Sequence, residues 1–235
     1  MSTLLELDRV SKCYRQGSLR RQALREVSLE LHAGELVVIW GLRHSGRSTL
    51  LRIAAGVQAP DSGEVRFQGQ KLSRSGALAE GIAYCVRGFY GSQGQPVIDE
   101  LIFSQLALGA SPTQAKELAW SVLERVGAAK FAELRPYELD SAQAIKASIA
   151  RALVCEPSLL LVDEPTSGVE LLQRTAIFAL LRSLSAEGLA VLTSVGDSTG
   201  LYGADRVLAL SNGELRGHVA PELAPVVELP LRSSG

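Results

Sequence analysis

Histidine, cysteine and aromatic residues are all scarce in this chain, and neither sign of charge prevails. The three cysteines, Cys13, Cys85 and Cys155, are odd in number, far apart and without histidine companions, so neither a disulfide framework nor a zinc site is indicated. Three reduced, mostly buried thiols are expected. With 24 basic and 25 acidic residues the net charge is −1, and no basic stripe runs along the sequence, which removes the usual electrostatic route to nucleic acid. The longest apolar runs, such as Leu36–Trp40 and Leu159–Val162, have the length of strands and fall far short of the ~20 residues a membrane helix needs. The first residues carry acids where a secretory signal has a basic start and an unbroken apolar stretch, so cytosolic residence is expected. Any work at a membrane then requires another chain to hold this one there.

What the sequence does have is apolar content, 46% over 235 residues, enough for one large domain or two small ones. Strand-like runs alternate with helical patterns. Leu36–Trp40, a glycine-bearing loop and Ser48–Ala55 read as strand, turn and helix. Further on, strands are predicted at Ser158–Val162, Leu189–Thr193 and Arg206–Leu210, with a helix over Val169–Ala186 between the first two. This alternation implies an α/β fold with a largely parallel sheet and helices on both faces. Ile98–Leu108 and Pro112–Val126 have helical spacing, the latter with Ala115, Leu118, Ala119, Val122 and Leu123 on one face, and they read as a helical insert. The Gly-, Ser- and Gln-rich stretch 87–96 reads as an exposed connection, and the chain from Pro221 onward as a loosely held tail.

Two motifs carry chemistry. Gly41-Leu42-Arg43-His44-Ser45-Gly46-Arg47-Ser48-Thr49 follows a predicted strand and opens a predicted helix, the setting in which backbone N–H groups converge on phosphate oxygens. Its spacing is that of a P-loop, but Arg47 stands where a lysine normally reaches the β- and γ-phosphates. Arginine is longer and fork-shaped and cannot act as a compact point charge, so binding is expected to survive better than catalysis. The second motif, Leu159-Leu160-Leu161-Val162-Asp163-Glu164, is an apolar strand ending in two carboxylates at the sheet edge where ligands of such folds bind. Asp163 would hold Mg²⁺ together with the Ser48 hydroxyl, and Glu164 would polarise an attacking water as the catalytic carboxylate.

These motifs, with Leu139-Asp140-Ser141-Ala142-Gln143 ahead of Ile149-Ala150-Arg151-Ala152-Leu153 and then Asp163-Glu164-Pro165-Thr166-Ser167, resemble the ATP-binding-cassette (ABC) ATPases. The resemblance runs to about Gly217 and is greatest to the lipoprotein-release, macrolide-efflux and cell-division branch. It implies a P-loop NTPase (RecA-like) core with an antiparallel β subdomain, a helical subdomain over about 88–155, and a tail at 218–235. Val10-Ser11-Lys12-Cys13-Tyr14 is similar to the family's aromatic loop, in which Tyr14 would stack on adenine, and the segment Gly56–Gly69 to the entry of its β subdomain. ATP and Mg²⁺ are the implied cofactors. The family further implies a head-to-tail dimer, each nucleotide lying between one chain's P-loop and the other's signature, docked on a membrane permease through the region 87–102.

Four departures weaken that expectation. Besides Arg47, and His44 where glycine is usual, Arg87 occupies the glutamine-loop position, where a cation would repel a metal. The signature, Leu-Ser-Gly-Gly-Gln in the family, reads Leu139-Asp140-Ser141-Ala142-Gln143. At about 4 Å and an effective dielectric of ~20, Asp140 and a phosphate charge would interact by roughly 4 kcal/mol, offsetting much of the helix-terminus attraction. The switch histidine is replaced by Val195 or Gly196, depending on alignment by one residue, and the dimer-contacting loop ends in Val169-Glu170 in place of Leu-Asp. His32 and His218 are expected to be solvated bystanders. The sequence therefore points to a nucleotide-binding, hydrolysis-impaired cassette subunit, peripheral at the inner face of the cell membrane and paired with a second cassette chain and a permease. A slow but genuine ATPase driving transport or transmembrane signalling, and a scaffold subunit that binds no nucleotide, are the alternatives.

Overall fold

The computed structural model describes residues 3–17, 19–72, 78–86, 88–89, 91, 94–197, 201 and 203–218. Two long strands come first, β1 (Thr3–Gln16) and β2 (Leu19–His32), followed by β3 (Leu36–Trp40) and α1 (Arg47–Ala54). β4 (Ser62–Phe67), β5 (Gln70–Lys71) and β6 (Ile82–Cys85) lead into α2 (Val97–Ala107), α3 (Pro112–Arg125) and α4 (Ser141–Leu153). The chain then returns through β7 (Leu159–Asp163), α5 (Leu171–Ala186), β8 (Ala190–Val195), β9 (Arg206–Ser211) and β10 (Glu214–His218).

The strands form two sheets. One is antiparallel, ordered β2-β1-β4-β5; the other is ordered β10-β9-β3-β8-β7-β6, parallel except for the edge strand β10. Alternation along the central strands divides the core in two. Val37, Ile39, Leu159, Leu161 and Leu192 face α1 and the antiparallel sheet. Leu36, Val38, Leu160, Val162 and Val191 face α2, α3, α4 and α5. Strands covered on both faces have no polar side to display, which is why β3 and β7 read as unbroken apolar runs in the sequence. The antiparallel sheet closes its half of the core with Leu5 opposite Leu31 and Phe67, and Leu7 opposite Leu29 and Val65.

Two of the helices, α3 and α4, start at side-chain caps. Ser111 and Gln114 form a reciprocal capping box with Pro112 in the first turn of α3, and Asp140 and Gln143 do the same for α4. Of the face predicted for α3, Ala115, Ala119, Val122 and Leu123 are buried and Leu118 is half-buried.

Several expectations need correction. Val10–Tyr14 lies inside β1, not in a loop, and the antiparallel sheet is built mainly from β1 and β2, with residues 56–69 contributing β4. The exposed connection over 87–96 is not exposed throughout: Phe89 is buried, with the Arg151 guanidinium 4.8 Å from its ring centroid. Of the three cysteines only Cys85 is buried; Cys13 is half-buried and Cys155 exposed. Burial pushes the Cys85 thiol up to about 11, and it donates to the Ser148 carbonyl. His32 is half-buried and bonded to Glu35, with Nδ1 3.2 Å from Oε2, and is not a solvated bystander. The tail from Pro221 lies outside the described residues, as does the His218 side chain.

Leu161 is fully buried in the middle of β7, with neighbours that cannot collapse onto a void. Leu161→Ala is expected to lower unfolding free energy by about 2–5 kcal/mol in urea titration, whereas Leu172→Ala, at a side chain 90% exposed, should change it by no more than about 0.5 kcal/mol.

Candidate nucleotide site

Because the central strands are sealed on both faces, polar side chains gather at their carboxyl ends. There, the segment 41–46 turns from β3 into α1 over a cavity of about 530 Å³ bordered by Tyr14, Arg21, Arg43, Ser48, Asp163 and Glu164, among others. The turn is tightly determined. Gly46, at φ +112°, has no room for a Cβ, which would come within 2.2 Å of the Ala23 carbonyl on β2. His44 adopts φ +69°, its carbonyl accepting from Arg21 Nη2 at 2.7 Å. Gly46 supplies no side-chain cap, so the first N–H groups of α1 face the cavity without a side-chain acceptor from the capping position. Ser45 Oγ is buried without a hydrogen-bond partner. Unsatisfied donors at a helix start, beside an orphaned hydroxyl and several guanidinium groups, suit a polyphosphate. Thr49 is buried, and Ser48, half-buried, lies on the cavity wall with Asp163. Mg²⁺ takes oxygen ligands, characteristically one or two carboxylates with phosphate and water, and here Asp163 could provide a carboxylate and Ser48 a hydroxyl.

Tyr14 also borders the cavity, from β1. Its hydroxyl accepts from Gln58 Nε2 at 2.7 Å and lies 3.3 Å from Thr49 Oγ1, so the ring is fixed at its tip. Arg52, one turn along α1, donates from Nε to the Ser48 carbonyl at 3.0 Å.

Arg47 does something the P-loop spacing did not suggest. Its side chain is only 5% exposed and runs beneath the loop to the ends of β7 and β8. Nη2 pairs with Glu164 Oε1, and Nη1 donates to the Val195 carbonyl at 2.9 Å. Two acceptors are met by the two terminal nitrogens of one planar fork, a fixed geometry that the single ammonium of a lysine does not offer. Gly196 leaves room beside the fork, since a Cβ there would lie a tight 3.3 Å from Nη2.

A single hydroxyl orders the acidic strand end. Ser194 Oγ, fully buried on β8, donates to Asp163 Oδ1 at 2.6 Å and accepts the Glu164 N–H at 3.0 Å. This grip holds Glu164 in the left-handed region at φ +49°. On the other side of Asp163, the Tyr84 hydroxyl lies 3.5 Å from Oδ2. Burial, reinforced by the Asp163 carboxylate, pushes the Tyr84 phenol well above its ordinary range, so it keeps its proton.

The structure thus brings Tyr14, residues 42–49 and the carboxylates Asp163 and Glu164 around one cavity, with Gly41 buried at the base of the loop. The residues 139–143 are elsewhere, at the start of α4. Asp140 Oδ1 accepts the Gln143 N–H at 2.8 Å, and Gln143 Oε1 the Asp140 N–H at 3.0 Å. Leu139 is half-buried, Ser141 exposed and Ala142 buried. Arg87 lies outside the described residues. Four participants escaped the sequence reading: Arg21, Arg52, Tyr84 and Ser194. Arg52 and Ser194 sit next to motifs and could have been suspected; Arg21 reaches the loop only because β2 packs beside it.

A phosphate-type loop and an acidic strand end meeting at the carboxyl edge of a parallel sheet, with a helical segment between them in sequence, define a P-loop nucleotide-binding cassette. Residues 24–167 match the family model described as ABC transporter, and the chain belongs to that family as one of its ATPase cassettes. It is 31% identical over 219 residues to the lipoprotein-releasing system ATP-binding protein LolD of Chromohalobacter salexigens, covering 90% of this chain and 92% of that protein. Similarity to the macrolide export ATP-binding/permease protein MacB of Nitrobacter winogradskyi is 30% over 227 residues, covering 93% of this chain and 35% of that protein. Among solved structures, the cassette MJ0796 in a dimeric post-hydrolysis state bound to ADP and Pi aligns with a TM-score of 0.82 at 25% identity, over 93% of this chain and 99% of that one.

Two measurements probe the strand ends. Ser194→Ala strips Asp163 of a donor and the Glu164 N–H of its acceptor, and should cost about 1–3 kcal/mol in chemical denaturation. In a double-mutant cycle of Arg47→Ala with Glu164→Gln, the pair, 5% and 22% exposed, should show a coupling of about 1–3 kcal/mol.

Proposed function

We propose that this chain is the ATP-binding subunit of an ABC transporter complex, that it binds Mg-ATP while hydrolysing it poorly, and that it works beside a second cassette chain beneath a membrane permease. The observation that carries this reading is the Arg47–Glu164 pair. The cation that spacing assigns to the phosphates is engaged by Glu164 and the Val195 carbonyl, and the carboxylate that would polarise water is paired with it. The loop, Ser48 and Asp163 keep the donors that a bound nucleotide and its metal need. Nucleotide capture and nucleotide hydrolysis are therefore separable in this site.

The arrangement of α4 supports an unequal partner. Asp140 places its own carboxylate on the N-terminus of the helix that begins at the signature, so that terminus is satisfied from within the chain. A dimer of two copies would carry the altered loop and the altered signature at both sites; pairing with a different cassette leaves one of each intact. LolD and MacB are named for lipoprotein release and macrolide export, and the similarity to both supports assignment to that branch of transporters. No helix among the described residues is long and apolar enough to cross a membrane, which accords with attachment to the inner face of the membrane through a permease.

The purified chain should bind labelled ATP in the presence of Mg²⁺ and lose most of that binding in the Tyr14→Ala, Ser48→Ala double variant, both residues bordering the cavity. Phosphate release should be at background and equal in the wild type and Glu164→Gln; release that the substitution abolishes identifies a slow ATPase instead. Affinity capture from membranes with mass spectrometry should recover a permease and a second cassette chain.

A further inference from the structure

The cavity over the loop adjoins two others through different residues. It shares Tyr14 with a hollow of about 540 Å³ beside β1, and Arg43, Arg47 and Glu164 with a hollow of about 260 Å³ that also borders on Thr166, Gly168 and Gly196. Base and phosphates leave a ribose in opposite directions. A nucleotide with its base on the Tyr14 side therefore carries its last phosphate toward the side shared by Arg43, Arg47 and Glu164.

On that side the cations are not equivalent. Arg47 is committed to Glu164 and the Val195 carbonyl. Arg174, on the wall of the smaller hollow, is fastened to Asp197 Oδ2 and to the Val169 carbonyl, both at 2.8 Å. Arg43 is exposed on the crest of the loop, borders both hollows, and makes no hydrogen bond or ion pair among the described residues. A guanidinium offers two parallel N–H donors to a phosphate and keeps its charge at any physiological pH.

We infer that Arg43 is the residue that distinguishes a nucleoside triphosphate from a diphosphate here, supplying to the terminal phosphate the cation that Arg47 does not. This rests on the nucleotide-binding reading above and adds a specificity determinant to it. An exposed loop side chain with no partner leaves nothing unsatisfied when removed, so Arg43→Ala should fold with an unchanged melting temperature.

The test is equilibrium binding of ATP, a non-hydrolysable ATP analogue and ADP, each with Mg²⁺, to the full chain, Arg43→Ala and Arg43→Lys. The wild type should prefer both triphosphates to ADP. Arg43→Ala should weaken triphosphate binding about tenfold while changing ADP binding by less than about twofold, and Arg43→Lys should recover part of the preference. A wild type that binds neither nucleotide overturns the nucleotide-binding reading together with this inference. A wild type that binds both equally, or an Arg43→Ala protein that keeps the triphosphate preference or loses ATP and ADP alike, overturns the inference alone.

Discussion

Burial of the parallel strands on both faces is the constraint from which the rest of this structure follows. With β3, β7 and β8 enclosed between α1 and the antiparallel sheet on one side and α2–α5 on the other, a polar side chain along their length must find a partner inside the protein, as Thr193 does on the Val162 carbonyl. Polar chemistry is forced to the strand ends, and one end collects the loop, the two carboxylates and the Ser194 hydroxyl. The cavity is a by-product of how the sheet is sealed, and its contents can diverge without disturbing the sheet.

That separation explains how a cassette can keep its fold while its phosphate loop changes character. A guanidinium is longer than an ammonium and cannot lie where lysine would, but beneath the loop it finds an acid and a carbonyl at the ends of adjacent strands. Burying it there demands a counter-charge, and Glu164 meets that demand. The carboxylate's persistence, puzzling if the site is catalytically weak, has a structural reason in the neutralisation of Arg47. Asp140 is similar in kind: an acid where the family's signature has serine is a good cap for the helix it opens.

The parallel part of the fold was legible in the sequence because doubly buried strands leave a simple trace. β3 was placed at its observed limits, and β7, β8, β9, α2, α3 and α5 to within one or two residues. The antiparallel hairpin was not, and its register shows why. Between Leu7 and Val10 the β1 pairing shifts, with Arg9 at φ +45°, and at the next shift, between Val10 and Lys12, Glu26 on the facing strand has the same dihedral. Each bulge breaks the period-two alternation that would betray a strand. At the site, the loop and carboxylates were visible as motifs. The partnership of Arg47 with Glu164, and the double role of Ser194, depend on neighbours distant in the chain and could not be read from spacing.

The glycine at 196 has one more implication. The guanidinium of Arg47 is pinned by two acceptors and lies 3.3 Å from where the first carbon of a side chain at 196 would begin. A bulky side chain at 196 would crowd that guanidinium, whereas shortening Arg47 would leave Glu164 facing an emptied pocket. Positions 47 and 196, far apart in the chain, are therefore coupled, and each tolerates change only when the other changes with it.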